Sequence, residues 1–375
     1  MHDVILVGGG PVGLFAAILL RQAGLDVLVL EQRTSRSTHS RAIGIHPPAL
    51  EALAGAGVAA DLVALGVAIH QGVARSAGRE VTRLSFGALH CDYPFVLAVP
   101  QIQTERVLET RLGAVAPGAF RRGVTVTDVH DAGGSMLVTT STGDVLQAQL
   151  VIGADGGRST VRTSAGVPAS LRPYPDTYLM GDFADGLADR STAVLYLEPG
   201  GIVESFPLPD GVRRWVVRTP SLVSAPTPDR LADLIRARTG VDVEIASNSM
   251  LSAFDVQRRL AHRFVTGRTV LIGDAAHQVS PIGGQGMNLG WLDAVELVPM
   301  IRASLMEGRD VGRELAAFNV RRRRAAVTAA RQAHLNMALG RPLPRPVLSA
   351  RNAVFSRVNA VPAVHDAIAR TFTMQ

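Results

Sequence analysis

Gly8, Gly10 and Gly13, in the run Gly8-Gly9-Gly10-Pro11-Val12-Gly13, have the spacing of a turn that holds a pyrophosphate. In such a turn the first glycine makes the bend, the second lets the backbone approach the phosphates, and the third lets a helix pack closely on a strand. Glu31 stands about 20 residues further on, where a carboxylate accepts hydrogen bonds from ribose hydroxyls. A carboxylate there disfavours a 2′-phosphate, so NADP is not expected at this position, whereas NAD and FAD suit the segment equally.

Two later runs offer chemistry of the same kind. In Gly153-Ala154-Asp155-Gly156-Gly157-Arg158-Ser159-Thr160-Val161-Arg162, small residues permit a tight turn, and Asp155 can orient backbone amides or bind a cofactor hydroxyl. In Gly273-Asp274-Ala275-Ala276-His277, Asp274 falls at the carboxyl end of an apolar run, the end of a strand at which open α/β sheets bind ligands. The loop Ser280-Pro281-Ile282-Gly283-Gly284-Gln285-Gly286-Met287-Asn288 can lie flat against a planar ring. A helix beginning just after it would favour negative charge on a reduced flavin.

The elements that position these residues are legible from apolar patterning. Residues 3–7, 26–30 and 147–152 read as buried strands, and 267–272 leads to Asp274. Residues 11–23 read as a helix with Pro11 in its first turn and Gly24 at its end. That helix is apolar on nearly every face and should be buried. Further helices are expected over 230–238, 289–305 and 313–337, with an irregular or short-helical tail from Pro342 onward. Residues 68–98 and 177–217 break the nucleotide-fold pattern and have strand composition, with a turn at Pro207-Leu208-Pro209-Asp210-Gly211.

Size and composition bound the answer. The 375 residues are 47% hydrophobic, which suits two domains with a large core. The net charge is +6, and all 38 basic residues are arginine, a bias expected from GC-rich codons rather than from nucleic-acid binding. Arg321-Arg322-Arg323-Arg324 lies in a helical pattern and reads as a solvated face. Cys91 is the sole cysteine, so no intrachain disulfide or cysteine metal cluster is expected, and no metal site is assigned. The first strand begins too early for a signal peptide, and the apolar run 14–20 is too short to span a bilayer, so a cytoplasmic location with no membrane partner is expected.

Together the three runs resemble the FAD-dependent group A monooxygenases, the aromatic-hydroxylase family typified by para-hydroxybenzoate hydroxylase, over nearly the whole chain. The resemblance implies an α/β fold, a Rossmann-like FAD-binding domain with an inserted β-sheet substrate domain. The corresponding boundaries are 1–67 plus 99–173 plus 262–340 for the FAD domain, 68–98 plus 174–261 for the substrate sheet, and 341–375 for a helical tail. It implies that Gly8, Gly10, Pro11, Val12, Gly13, Glu31 and Gln32 hold the ADP half of FAD, with Arg33 beside the adenine and Val124 nearby. Arg41 would touch the cofactor and its mobile ring, and Gln101 would contact the flavin. Asp155 lies in a motif linked to FAD and pyridine nucleotide, and Gly273 and Asp274 would meet the ribityl chain. Pro281, Gly284, Gly286, Met287 and Asn288 would surround the isoalloxazine. Pro281 and Arg41 stand as the residues closest to the chemistry, and His277 reads as structural rather than as a general base.

By the same resemblance, NADH or NADPH acts as a transient co-substrate, with Arg36 and Arg158 as candidate contacts. O₂ then adds at the flavin C4a, and the hydroperoxide passes oxygen to an electron-rich ring. Met180, Tyr196, Phe206, Leu208 and Trp215 are the candidate substrate wall. Leu208 falls where benzoate hydroxylases carry a carboxylate-binding arginine, which disfavours a small benzoate unless Arg213 or Arg214 replaces it. A polycyclic phenol from natural-product tailoring is the expected substrate class, and the protein is expected to be a monomer or homodimer. A halogenase is disfavoured because the chain has no lysine and no Trp-x-Trp-x-Ile-Pro run. A Baeyer–Villiger oxygenase, an FAD oxidase and a non-catalytic flavin-binding protein remain open.

Overall fold

Four apolar runs build the centre of the molecule. In the computed structural model, which describes residues 1–36, 42–87, 89–187 and 189–375, His2–Val7 lies between Val27–Glu31 and Val145–Gly153, and Thr269–Leu271 lies beyond the latter. All these neighbours are parallel, and Phe120–Arg122 adds a further parallel strand at the edge of Val27–Glu31. Parallel strands covered on both faces are apolar throughout, and Val4, Ile5, Leu6, Val29 and Ile152 are fully buried.

Because these strands point the same way, their carboxyl ends share one edge. Gly8, Glu31, Asp155 and Asp274 therefore meet there despite their distance in the chain. The helix Pro11–Gln22 packs on this sheet through Leu14, Phe15, Ala17 and Ile18, and the chain leaves it at Gly24 in the left-handed region (φ 90°).

A second eight-stranded sheet supplies the other wall. Its order is His277–Gln278, Met250–Ala261, Ala169–Ala184, Val212–Thr219, Val203–Leu208, Thr192–Tyr196, Gln71–Ser76 and Arg79–Ser85. Pairing is antiparallel except between Thr192–Tyr196 and Gln71–Ser76. One face packs Leu179, Val194, Tyr196, Val203, Trp215 and Val217 against Leu231 and Ile235 of the helix Pro228–Thr239. The other face looks back toward the parallel sheet.

The helix expected from residue 289 starts earlier, as Gln285–Glu307, because Gly284 turns the chain into it in the left-handed region. Gly312–Leu339 is the long helix expected near 313–337. The tail is more regular than its prolines suggested, forming the helices Arg345–Asn359 and Pro362–Phe372. In both, proline occupies the first turn, where no amide donor is needed, so it starts a helix rather than breaking one. Among the described residues, no helix is long and apolar enough to cross a membrane.

Candidate active site

A single cavity of about 1390 Å³ runs from the carboxyl edge of the parallel sheet to the inner face of the second sheet. That exceeds the roughly 300–1,000 Å³ of a pocket for one drug-sized ligand, so a dinucleotide and a second molecule have room together. Its wall includes Gly8, Gly10, Pro11, Val12, Glu31, Gln32, Arg33, Gln101, Val124 and Asp155 at one end. Gly273, Asp274, Pro281, Gly284, Gly286 and Met287 line its middle.

Each glycine at the first turn has its own reason. A Cβ on Gly13 would lie 2.0 Å from the Gly8 carbonyl oxygen, and one on Gly8 2.4 Å from the Ala154 oxygen. Gly10 has nothing within 4 Å, so its bare Cα faces open cavity. Gly13 is thus a packing residue and does not line the cavity.

Glu31 is held rigidly. It accepts hydrogen bonds from the Gly9 amide (2.7 Å) and from the Arg33 amide and Nε (both 2.9 Å). Burial alone would raise its pKa, but the Arg33 bonds and charge, with the Gly9 bond, hold it below the usual carboxylate range. Asp155 is different: burial pushes its pKa up, Oδ2 accepts from the Val161 amide (3.1 Å), and Oδ1 has no partner among the described residues. An orphaned buried acceptor beside a phosphate-type turn, with the open space over Gly10, fits the shape and polarity of a bound dinucleotide.

The Pro281 loop is tied down by Asn288. Its Nδ2 donates to the Gly284 and Gly44 carbonyls (2.7 and 3.0 Å), and its Oδ1 accepts from the His46 amide (2.9 Å). Asn288 is a brace behind the loop and does not line the cavity. His277 is equally structural in setting: its Nε2 is 2.5 Å from Asp293 Oδ2, and Asp293 also accepts from Arg322 Nε (2.6 Å). Gln101 lines the cavity and donates to Glu105 Oε1 (2.9 Å). Arg41 lies outside the described residues.

Of the two arginines considered for pyridine nucleotide, Arg158 lines the cavity and is exposed. Arg36 does not line it, being paired with Glu109 (2.8 Å).

Three of the expected substrate residues are corrected. Tyr196 and Trp215 point to the far face of the sheet, where their rings stack 6.0 Å apart. In strands, side chains alternate, and the cavity-facing partners on these strands are Leu195, Arg214 and Val216. Leu208 points the other way from Trp215, but it lies past the cavity and packs with Ile69, Phe86, Val96 and Ala98. Met180 and Phe206 do line the cavity.

Sequence reading missed His46, Glu204 and the roof. His46 lines the cavity beside the Pro281 loop; its Nε2 is 3.2 Å from the Gly283 carbonyl oxygen, and burial lowers its pKa to about 4. Its signal was a histidine directly before Pro47-Pro48, at the end of the short strand Gly44–Ile45. Arg214, weighed as a carboxylate partner, does line the cavity, but its Nε and Nη2 both donate to Asp182 at 2.7 Å. The roof comes from the last two helices through Phe355, Asn359, Val364, Ile368 and Phe372. Phe372 stacks on Phe86 (5.7 Å) and meets the His46 ring edge-on (5.8 Å).

Comparison with known proteins agrees with this arrangement. The profile of the family described as "FAD binding domain" matches residues 1–333. The chain is 37% identical to rifampicin monooxygenase of Streptomyces venezuelae over 307 residues, covering 79% of this chain and 63% of that protein. It is 32% identical to the 12-dehydrotetracycline 5-monooxygenase/anhydrotetracycline 6-monooxygenase of Streptomyces rimosus, covering 92% of this chain and 71% of that one. The fold superposes on p-nitrophenol 4-monooxygenase PnpA of Pseudomonas putida with a TM-score of 0.91 at 25% identity, covering 100% of this chain and 98% of that one. The chain spans 54–66% of the length of the first curated relatives it matches.

Proposed function

Since the chain belongs to the FAD-binding domain family, we propose that it is an FAD-dependent, NAD(P)H-consuming monooxygenase acting in the cytoplasm. Its substrate is an aromatic or polycyclic phenol, in keeping with natural-product tailoring. The observation that carries this reading is the continuity of one cavity from the Gly8 turn, past the Pro281 loop, to an apolar sheet face. When bound, FAD supplies the activation of O₂ and the transfer of one oxygen atom.

The chain's own residues position and exclude. Gly8, Gly10 and Glu31 receive the pyrophosphate and ribose; Asp155 and Asp274 receive hydroxyls; Gly284, Gly286 and Met287 present the start of a helix to the ring. Met180, Phe206, Val216 and Phe254 form an apolar floor, and the last two helices shut out water above it. Arg158, exposed on the cavity wall, is the residue we assign to the pyridine nucleotide.

Relatives named as monooxygenases of rifampicin, 12-dehydrotetracycline and anhydrotetracycline favour a polycyclic substrate over a single ring. The test is direct. Purified protein should be yellow and should oxidise NADH or NADPH faster when a polycyclic phenol is added. Product formed under ¹⁸O₂ should gain one labelled atom. Protein that takes up no FAD, or a product without label, would overturn the reading.

A further inference from the structure

We infer that Glu204 is the polar anchor of the substrate: its carboxyl receives a hydrogen bond from an uncharged hydroxyl or amine and turns carboxylate-bearing aromatics away. The inference rests on the aromatic-substrate reading above and narrows it.

Strand alternation puts Glu204 on the cavity face of Val203–Leu208, between Leu195 and Val216 on the neighbouring strands. Phe206 follows on the same face, so the acid stands in a largely apolar floor whose other charged side chain is Arg214. The residue is only 8% exposed. No hydrogen bond or ion pair holds its carboxyl among the described residues, whereas the other buried acids on or next to this sheet are engaged. Asp182 is taken by Arg214 (2.7 Å), Asp185 by Arg213 (2.9 Å), and Asp176 by Arg218 (3.1 Å) and Arg341 (2.7 Å). Burial without a partner pushes the Glu204 carboxyl up to about 7.

Buried polar groups are normally paired, and an isolated exception calls for a ligand or a functional role. The charge pattern says which ligand. Arg214, the cation on the floor, is already neutralised by Asp182, leaving Glu204 as the uncompensated charged group on the same sheet face. Among the described residues of the floor, an entering carboxylate would find no positive charge that is not already paired, and it would face a second acid. In its ionised form Glu204 carries acceptors only, and a phenol or aniline brings the N–H or O–H donor that it lacks. The uncharged Gln332 and Asn336 on the opposite wall add no charge to change that balance.

The test uses FAD-loaded protein, with β-naphthol, its methyl ether and β-naphthoate titrated by calorimetry and by the flavin spectrum. Wild type should bind β-naphthol at least tenfold more tightly than either the ether, which cannot donate, or the naphthoate. Glu204→Leu should bring both ratios within twofold. Glu204→Gln, nearly the same shape, should keep part of the naphthol–ether preference and lose the rejection of naphthoate. Unchanged ratios in both variants, or wild type that favours naphthoate, overturns the inference while leaving the monooxygenase reading intact. FAD-loaded wild type that binds none of the three probes overturns the aromatic-substrate reading, and this inference with it. Should Glu204→Leu not fold, the Glu204→Gln ratios decide alone.

Discussion

His277 Nε2 lies 2.5 Å from Asp293 Oδ2, and both side chains are fully buried beneath the Gly273 turn. Asp293 also accepts from the Gly273 amide (3.1 Å) and from Arg322 Nε (2.6 Å), so the pair fixes the backbone from which Asp274 projects. Burial lowers the His277 pKa, but the charge and hydrogen bond of Asp293, with Asp274, raise it overall. A raised folded-state pKa contributes stability below the unfolded value and loses it as pH rises through the folded one. His277→Ala should therefore destabilise the protein by about 3–5 kcal/mol, the cost of breaking a buried pair. The gap in Tm between variant and wild type should narrow at alkaline pH. A variant that keeps its Tm but loses turnover with a shifted pH profile would instead make His277 catalytic.

His46 carries the opposite pH signature. Its burial lowers its pKa from 6.5 to about 4. The unfolded chain binds the proton between those values, so stability is complete above 6.5 and falls as pH drops toward 4. The drop from this one group is on the order of 3 kcal/mol. Urea denaturation of apoprotein between pH 7 and 4 should show a loss that His46→Gln reduces. Equal slopes in the two proteins would mean that His46 is hydrated and free to protonate.

Gly10 and Gly13 should fail in different ways. Gly13→Ala forces a Cβ against the Gly8 carbonyl oxygen and should cost about 1–3 kcal/mol of stability even without FAD. Gly10→Val puts its Cβ into open space, so the apoprotein should melt near wild type while FAD binds roughly a hundredfold more weakly. Differential scanning calorimetry and flavin titration of both apoproteins separate the two. Normal FAD binding by Gly10→Val would place the pyrophosphate elsewhere.

The two faces of the substrate sheet make a kinetic prediction. Phe206→Ala, on the cavity floor, should raise KM several-fold for a polycyclic phenol, whereas Tyr196→Phe, on the far face, should leave kcat and KM within about twofold. Steady-state NAD(P)H oxidation checks both. A large effect from Tyr196→Phe would reverse the assignment of faces.

The legible part of this protein was the part built by local rules. Apolar strands, the glycine turn and the acids at strand ends carry their meaning in short windows, so Gly8, Glu31, Asp155 and Asp274 could be read from residue type and spacing. The substrate wall could not. A strand places alternate residues on opposite faces, and composition does not say which face is covered. Tyr196 and Trp215 have the character of wall residues, yet the helix Pro228–Thr239 claims their face. Glu204 escaped notice because a lone acid in a strand reads as solvent-facing until the helices above it are known. Those helices were obscured by Pro344, Pro346 and Pro362, which look like breakers in a sequence but stand at the starts of the two helices in space.

The chamber has a stiff floor and a lightly fastened ceiling. The floor is one hydrogen-bonded sheet, where moving any strand disturbs its neighbours. The ceiling, by contrast, rests on two short helices, latched to the sheet by Asn359 at Thr82 and Arg83 (2.7 and 2.8 Å) and by Phe372 on Phe86. Headroom can thus be retuned by shifting two rods, without disturbing the dinucleotide grip beneath. Swapping this terminal pair between homologues is accordingly the shortest engineering route to guests of different bulk.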